Sequence, residues 1–145
     1  LSSNLFPIIS KVLIGQLEKL YIFGNDWPTK DGTCIRDYIH VMDLVDAHLK
    51  ALNYLSQINN EHIILNLGTG KGTSVLELIN TFQEVNKVKV PYKFVARREG
   101  DLPYSVADNS LARELLKWNP QRNIFEMCSD SWAWFRNLKN YDNLI

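Results

Sequence analysis

A glycine loop lies between a β-rich run and a helix start in the stretch Asn66-Leu67-Gly68-Thr69-Gly70-Lys71-Gly72-Thr73-Ser74-Val75. The run before it, His62 to Leu67, is rich in apolar and β-branched residues and predicts a buried strand. After the loop, Ser74 and Glu77 have the spacing of a capping box. Apolar residues then follow at helical spacing, at Val75, Leu78, Ile79 and Phe82. A strand, a turn and a helix in succession are typical of an α/β fold.

The glycine loop matches neither of the common phosphate-binding glycine motifs. A dinucleotide fingerprint has the pattern G-x-G-x-x-G, and here Gly68 and Gly70 fit whereas Thr73 occupies the third position. The P-loop pattern fails as well, because Gly72 follows Lys71 where Ser or Thr is required. We therefore interpret the loop as a tight turn between a strand and a helix.

The rest of the chain predicts a mixture of helices and short strands. Helices are expected at 5–17, after Asp43 as the N-cap, at 109–116 and after Asn123, where Glu126 completes a cap. Strands are expected at 20–23, 36–41 and 90–95. Too few strand–helix–strand units fit for a complete doubly wound sheet. The predicted fold is a small α/β domain at 1–139, with few short strands and flanking helices, and a tail at 140–145.

The composition describes an ordinary globular domain without a charge bias. The chain has 145 residues, Lys plus Arg and Asp plus Glu each number 16, and the pI is about 7.0. This balance argues against a nucleic-acid-binding protein and against electrostatic attachment to a membrane. No stretch reaches the roughly 20 apolar residues of a membrane span, and Cys34 and Cys128 are expected as buried thiols. We expect a soluble, cytoplasmic protein.

The sequence lacks the residue patterns of several common chemistries. None of the six tyrosines is followed four positions later by lysine, so the Tyr-x-x-x-Lys pair of reductase-like enzymes is missing. The three histidines have no spacing suited to a metal site. No G-x-S-x-G elbow supports a serine hydrolase. The sequence thus predicts neither catalytic nor metal-binding residues in this chain.

Two arginine clusters are the strongest candidates for ligand binding. Arg36 begins a predicted strand, and Arg97 and Arg98 precede Asp101 in a charged loop. If Arg36 and Arg98 converge, their planar groups suit a pyrophosphate, and Asp101 suits ribose hydroxyls. Judged on chemistry alone, solvated surface arginines are the better interpretation, and the pyrophosphate pocket is the alternative.

A long loop carries a resemblance to a known family. The stretch from Tyr21 to Leu44, which contains Phe23-Gly24-Asn25-Asp26-Trp27-Pro28-Thr29-Lys30-Asp31-Gly32-Thr33, closely resembles the UDP-glucose 4-epimerases, which are extended short-chain dehydrogenases. The glycine loop and Arg97-Arg98-Glu99-Gly100-Asp101 resemble them too, and the likeness extends from Asn4 to about Phe135. Related dehydratases and decarboxylases share the Arg-Asp-x-x-x-Val-x-Asp pattern and usually lack the longer loop.

The resemblance covers only the second half of such an enzyme. Family members oxidise the sugar C4 hydroxyl of UDP-glucose or UDP-galactose with NAD, rotate the keto sugar and return the hydride. Their N-terminal Rossmann domain holds NAD and the catalytic Ser/Thr, Tyr and Lys, and forms the homodimer, whereas their C-terminal domain binds UDP. The missing motifs and the start at Leu1 agree with a C-terminal piece. The resemblance implies an inactive chain without catalytic or cofactor-binding residues.

The resemblance assigns five residues to the diphosphate end of the substrate. Asn4 and Leu5 match a pair at a helix start, where the helix dipole favours negative charge. Arg36 and Arg98 match the two arginines on the diphosphate, and Tyr38 lies beside the same pocket.

Five further residues match the uridine and sugar ends. Tyr21 and Phe23 match the strand whose backbone contacts uracil, Val75 matches the uracil side, and Asp101 matches the ribose-binding carboxylate. Ser105 falls where the family places a residue that gates the sugar pocket. Because serine is small, we expect the full enzyme to accept UDP-N-acetylglucosamine besides UDP-glucose and UDP-galactose.

Two alternatives to an epimerase fragment keep the same binding residues. One is a free-standing module that binds nucleotide sugars without chemistry. The other is a sister enzyme, such as a UDP-sugar decarboxylase or another epimerase. Neither alternative adds a metal, a nucleic acid or a membrane to the expected partners.

Overall fold

The structure, a computed structural model, describes residues 4–58 and 62–142. Within these residues the helices are α1 (Leu5–Leu13), α2 (Val41–Leu55), α3 (Val75–Asn86), α4 (Ser110–Leu116) and α5 (Ile124–Asp142). The strands are β1 (Leu20–Phe23), β2 (Ile35–Arg36), β3 (Thr73–Ser74), β4 (Tyr92–Val95) and β5 (Tyr104–Ser105). The predicted α/β class with few short strands is confirmed.

The strands form two small sheets. In the first, β1 and β4 run parallel, with Leu20 opposite Tyr92. In the second, β2 lies between β3, which is antiparallel to it, and β5, which is parallel. The register of β5 places Ser105 opposite Arg36. The sheets therefore bring residues that are distant in sequence to adjacent positions.

An apolar core fixes α1, α3 and α5 around the first sheet. Its buried members are Ile9, Val12, Leu20, Ile22, Leu78, Ile79, Phe82, Val90 and Cys128. A smaller cluster packs α2 against α4 through Ala47, Ala112, Leu116 and Trp118. Cys34 and Cys128 are both buried free thiols, as expected. Since β1 buries alternate residues, its outward residues Tyr21 and Phe23 remain exposed beside the core.

Two helices begin with the predicted reciprocal caps. The Ser74 hydroxyl accepts a hydrogen bond from the Glu77 N–H at 3.0 Å, and the Glu77 carboxylate accepts from the Ser74 N–H at 3.3 Å. At the start of α5, the Asn123 side chain accepts from the Glu126 N–H at 3.1 Å, and Glu126 accepts from the Asn123 N–H at 2.8 Å. The capping pattern in the sequence therefore locates both helix starts.

The start of α2 differs from the prediction. Nδ1 of His40 accepts a hydrogen bond from the Met42 N–H at 3.1 Å, so His40 caps the helix and Asp43 does not. The strand predicted at 36–41 is also shorter in the structure. Strand β2 ends at Arg36, and α2 already begins at Val41. Asp43 has a different role, which is to bind a distant loop.

The strand predicted at 62–67 is not formed. This segment pairs with no strand within residues 4–58 and 62–142, and Ile64 is 76% exposed. A strand needs a neighbour that satisfies its backbone N–H and C=O groups. The apolar pattern is therefore insufficient where the described chain offers no such neighbour.

Two other elements are shorter than predicted. Helix α1 ends at Leu13, shortly before Gly15, which has a φ of 78°, and does not continue to Leu17. Strand β4 starts at Tyr92 because Pro91 has no N–H to donate to the strand ladder.

Helix α5 is longer than predicted, because it runs to Asp142 and so enters the segment 140–145 predicted as a tail. Residues 143–145 lie outside the described part, and the division into 1–139 and 140–145 stays a prediction.

Candidate ligand-binding site

A cavity of about 600 Å³ opens between the start of α1, strands β1 and β2 and the loop after β4. We call this cavity the arginine pocket. Nine of the ten site residues predicted from the sequence line it, namely Asn4, Leu5, Tyr21, Phe23, Arg36, Tyr38, Val75, Arg98 and Asp101. The fold therefore brings together residues from five separate parts of the chain.

Two guanidinium groups and the carboxylates of Asp37 and Asp101 form the polar side of the arginine pocket. Nη1 of Arg36 donates to the carbonyl oxygens of Ile35 and Leu102, both at 2.8 Å, and these bonds fix the side chain. Nη2 of Arg98 donates to Oδ1 of Asp101 at 3.0 Å, and Nη2 of Arg36 lies 3.7 Å from the same oxygen. Asp101 therefore draws both guanidinium groups to one place, where a ligand with several anionic oxygens would contact both.

Aromatic side chains form an adjacent wall of the arginine pocket. Strand β1 exposes Tyr21 and Phe23, which are 50% and 40% exposed, while Leu20 and Ile22 face the core. Cζ of Arg98 lies 5.0 Å from the centre of the Phe23 ring, which is within the range of a cation–π contact. The arginine pocket thus combines aromatic surface with planar guanidinium groups.

Tyr38 contributes a neutral hydroxyl to the arginine pocket. Burial raises the pKa of Tyr38 to about 12, although the positive charge of Arg36 acts in the opposite direction. The Tyr38 ring packs edge-on against Phe6, with the ring centroids 6.1 Å apart. At neutral pH the hydroxyl therefore stays protonated and is suited to hydrogen bonding, not to removing a proton.

The long loop between β1 and β2 is tied to the loop after β4. Nε of Arg97 donates to Oδ1 of Asp26 at 2.8 Å, and the Arg97 guanidinium lies 4.0 Å from the centre of the Trp27 ring. At the far end of the loop, Asp31 accepts a hydrogen bond from the Ser74 hydroxyl, which also caps α3. These contacts hold both loops beside the arginine pocket.

Asp37 organises the glycine loop. Oδ1 of Asp37 accepts a hydrogen bond from the Thr69 N–H at 2.9 Å, and Oδ2 accepts from the N–H groups of Gly70 at 2.9 Å and Ala107 at 3.3 Å. A Cβ atom at Gly68 would lie 2.5 Å from Oδ2 of Asp37, so the backbone approaches the carboxylate too closely for a side chain. Because Asp37 uses these amides, the loop does not fit a dinucleotide pyrophosphate. It leads into β3 and α3 but, among the described residues, does not follow a strand, so the predicted turn between a strand and a helix is only partly correct.

Ser105, the tenth predicted residue, lies outside the arginine pocket. It lines a neighbouring cavity of about 420 Å³, which shares Arg36 with the arginine pocket. The preceding residue, Tyr104, lies near the glycine loop, since a Cβ atom at Gly72 would be 3.3 Å from Cε2 of Tyr104. Successive side chains of a strand point to opposite faces. Ser105 therefore faces the cavity beside Arg36, and Tyr104 does not.

Sequence reasoning missed the structural roles of Asp37 and Asp43. Asp43 is 2% exposed and accepts hydrogen bonds from the N–H groups of Gln121 and Arg122 and from Nη1 of Arg122. Both carboxylates belong to the Arg-Asp-x-x-x-Val-x-Asp pattern, which the sequence analysis used only as a family signature. The one signal in the sequence is that Asp37 and Asp43 lie on either side of the start of α2. This spacing does not identify their hydrogen-bond partners, which are distant in sequence.

Within residues 4–58 and 62–142, no helix is long and apolar enough to cross a membrane. In the same ranges, no group of three or more His, Cys, Asp or Glu residues is arranged to hold a metal ion.

Residues 2–131 match a protein-family model described as GDP-mannose 4,6 dehydratase. The chain belongs to this family. Among curated members with similar sequences, the UDP-glucose 4-epimerases of Erwinia amylovora and Bacillus subtilis are 52% and 48% identical to it over 132 residues. Each alignment covers 91% of this chain and 39% of the relative. The chain thus spans less than half the length of these family members, and the resemblance to UDP-glucose 4-epimerases is confirmed.

Solved structures of family members share the fold. The UDP-glucose-4-epimerase of Stenotrophomonas maltophila, crystallised with NAD and formylated UDP-arabinopyranose, has a TM-score of 0.91 and 46% identity, covering 97% of this chain and 41% of that one. The UDP-Glc/GlcNAc 4-epimerase of Campylobacter jejuni has a TM-score of 0.80 and 38% identity, covering 91% of this chain and 40% of that one. Both are similar to this chain over nearly all of its length.

Proposed function

We propose that this chain is the UDP-binding C-terminal part of a UDP-glucose 4-epimerase, which interconverts UDP-glucose and UDP-galactose. The observation that carries the proposal is the arginine pocket, where Arg36, Arg98 and Asp101 meet beside the exposed face of β1. The four relatives described above are all named as 4-epimerases, which supports the proposal.

The diphosphate binds to the two guanidinium groups in this proposal. Arg36 is held by the carbonyl oxygens of Ile35 and Leu102, so it is positioned before the ligand arrives. Arg98 is 52% exposed and is free to turn from Asp101 toward a phosphate oxygen. The start of α1 adds the positive end of a helix dipole beside them.

The uridine lies along β1. This strand pairs only with β4 among the described residues, so its other edge retains backbone groups for a ligand, apart from the Phe23 carbonyl, which accepts from the Trp27 indole N–H at 3.1 Å. Uracil carries both donors and acceptors and is suited to such an edge, with Tyr21 and Phe23 beside it. One oxygen of Asp101 is bound by Arg98, and the other, Oδ2, accepts a ribose hydroxyl in this arrangement.

Catalysis takes place outside this chain in the proposed enzyme. The glycine loop does not fit NAD, because Asp37 already uses the N–H groups of Thr69 and Gly70. NAD and the catalytic Ser/Thr, Tyr and Lys are therefore assigned to an N-terminal part, which also forms the homodimer. We expect the isolated chain to be inactive in epimerisation.

The outer face of α2 is the proposed contact surface with that N-terminal part. Val41, Val45, Leu49 and Leu52 recur at helical spacing and are 64%, 45%, 57% and 64% exposed. A row of apolar residues along one face of a helix normally packs against a neighbouring part of the protein. The longer length of the relatives is consistent with such a neighbour.

Ser105 supports a broad sugar specificity. The small side chain leaves the cavity of about 420 Å³ open beside Arg36. An N-acetyl group needs more room than a hydroxyl, so we propose UDP-N-acetylglucosamine as a further substrate. The relative from Campylobacter jejuni is named for both UDP-Glc and UDP-GlcNAc, which agrees with the proposal.

The proposal is tested by titrating UDP into the ¹⁵N-labelled chain and following amide shifts by NMR. This method detects weak binding, which is expected because part of the pocket wall lies in the N-terminal part. Shifts at Phe23, Arg98 and Asp101 are expected, with smaller shifts for uridine, which lacks the diphosphate. Unchanged amides at these three residues would contradict the proposal.

A second measurement distinguishes an epimerase from its sister enzymes and from a binding module. The longer protein that carries this chain is given UDP-galactose, and the products are separated. UDP-glucose is expected as the product, whereas the isolated chain should form none. Release of carbon dioxide from a UDP-sugar acid would indicate a decarboxylase, and UDP binding without turnover by the longer protein would indicate a binding module.

A further inference from the structure

A second cavity combines positive charge with an apolar side. It has a volume of about 350 Å³, and its lining includes the cationic residues Lys71, Arg113 and Arg122 but no Asp or Glu among the described residues. We call it the Lys71 cavity. Such an imbalance is unusual in a chain where Lys plus Arg and Asp plus Glu each number 16. Tyr38 lines both this cavity and the arginine pocket.

Among the described residues, two of the three cations in the Lys71 cavity have no ion-pair partner. Nη1 of Arg122 lies 2.7 Å from Oδ1 of Asp43, so its charge is balanced. Within residues 4–58 and 62–142, neither Lys71 nor Arg113 forms an ion pair. The Lys71 cavity therefore has about two uncompensated positive charges, whereas in the arginine pocket Asp37 and Asp101 offset the two arginines.

The other side of the Lys71 cavity is apolar. Pro120, Ile124 and Phe125 line it, and Phe125 is 52% exposed. Its volume exceeds what a bare inorganic anion occupies and lies near the lower end of small-molecule sites, which begin at about 300 Å³. The cavity is therefore suited to a molecule with an anionic group and an organic body.

We propose that the Lys71 cavity binds an organic phosphate. A phosphate monoester carries close to two negative charges at neutral pH, which matches the uncompensated charges of Lys71 and Arg113, whereas a carboxylate would neutralise only one. The organic body lies against Ile124 and Phe125. The site shares only Tyr38 with the arginine pocket and none of its cations, so the proposal stands independently of UDP binding there.

The test uses phenyl phosphate as the probe, titrated into the ¹⁵N-labelled chain. Amide shifts are expected at Gly70, Gly72 and Phe125, and phenyl phosphate should bind more tightly than inorganic phosphate because of the apolar side. Lys71→Gln and Arg113→Gln should each weaken binding about tenfold, the usual effect of losing one charge-assisted hydrogen bond.

Matched variants separate the two sites. Lys71→Arg keeps the charge and should keep the affinity, and Arg98→Gln removes a cation from the other pocket and should leave the shifts at Gly70 and Phe125 unchanged. Lys71 and Arg113 are exposed, so the Lys71→Gln and Arg113→Gln variants should fold. Circular dichroism checks this. Equal affinity in the Lys71→Gln and wild-type chains, equal binding of phenyl and inorganic phosphate, or shifts confined to the arginine pocket would each overturn the proposal.

Discussion

Nη1 of Arg122 and Oδ1 of Asp43 form an ion pair at 2.7 Å, with the Asp43 carboxylate only 2% exposed. Oδ2 of the same carboxylate accepts hydrogen bonds from the N–H groups of Gln121 at 3.0 Å and Arg122 at 2.9 Å. The Trp118 indole donates to the Asp43 carbonyl oxygen at 3.0 Å. One residue in the first turn of α2 therefore fixes the connection between α4 and α5, which includes part of the Lys71 cavity.

Asp43→Asn should destabilise the chain by about 1.5–3 kcal/mol. The amide has the same shape, but it loses charge-assisted hydrogen bonds, which contribute roughly that amount. The value is below that of a fully buried pair because Arg122 is 38% exposed and solvent screens it. Urea unfolding measures the change. Asp46→Asn is the control, since Asp46 is 52% exposed and should alter the stability by no more than about 0.5 kcal/mol.

The contribution of Asp43 to the free energy of unfolding should disappear in acid. Burial raises the pKa of Asp43, but the hydrogen bonds from Arg122 and Gln121 outweigh it, so the pKa lies below its ordinary value. Its contribution is then complete above the unfolded pKa of about 4 and is lost as the pH falls through the lower folded value. The difference in stability between wild type and Asp43→Asn should therefore shrink as the pH falls below about 4, as urea midpoints at several pH values would show. A constant difference would contradict this assignment.

Gly68→Ala should destabilise the chain by about 1–3 kcal/mol, because the added methyl group overlaps existing atoms. The new Cβ would lie 2.5 Å from Oδ2 of Asp37 and 2.6 Å from Cβ of Ala107. The displaced carboxylate should also release its partners, so the amide hydrogens of Thr69, Gly70 and Ala107 should exchange faster. Gly100→Ala is the control, because nothing lies within 4 Å of its new Cβ and only its φ of 82° opposes the change, at about 1 kcal/mol. Equal effects of both variants would contradict the proposed overlap.

Local rules in the sequence located several elements. The reciprocal caps at Ser74 and Asn123 determine their own helix starts, because the bonding groups are three residues apart. The failure at 62–67 has the opposite cause: a strand depends on a neighbour, and Ile64 has none in the described chain. His40 replaced Asp43 as the helix cap because Asp43 is bound to residues nearly 80 positions away, which no local pattern shows.

The proposed ligand-binding residues follow from the resemblance and not from chemistry alone. From the sequence alone, the better interpretation of Arg36 and Arg98 is that they are solvated surface residues. Sequence spacing does not show that β2 and the loop after β4 converge on Asp101. Nine of the ten residues that the resemblance assigns line one cavity of the structure. The resemblance did not identify the Lys71 cavity, whose cations come from separate segments that only the fold brings together.

Charges on the outer face of α2 should be tolerated by this chain. Leu49→Lys and Leu52→Lys alter side chains that are 57% and 64% exposed, so the free energy of unfolding should change by no more than about 0.5 kcal/mol. We expect the exposed apolar face to promote self-association of the isolated chain, and the two lysines should weaken it, as analytical ultracentrifugation would show. The buried control Leu78→Ala should cost about 2–5 kcal/mol. In the longer protein, where this face is proposed to be covered, the two lysines should destabilise, and no effect there would exclude α2 from the contact.

Arg98→Ala should weaken UDP-glucose binding to the longer protein by about 2–3 kcal/mol, as expected for a lost charge-assisted bond to the diphosphate. Arg113→Ala is a matched control that removes the same charge from the Lys71 cavity and should leave the dissociation constant unchanged. Isothermal titration calorimetry measures both. An unchanged affinity in the Arg98 variant would remove this residue from the UDP site.

In the proposed epimerase, Ser105→Tyr should restrict the substrates to sugars without an acetyl group. A tyrosine ring would fill much of the cavity of about 420 Å³ beside Arg36, where the N-acetyl group is proposed to lie. The kcat/KM for UDP-N-acetylglucosamine should fall at least about tenfold, a usual range for a steric change in a pocket, while that for UDP-glucose changes little. Tyr104→Ser is the control, because Tyr104 lies near Gly72 and its loss should not change the ratio of the two substrates. A wild-type enzyme that ignores the acetylated sugar, together with a Ser105→Tyr variant of unchanged selectivity, would show that another residue limits this cavity.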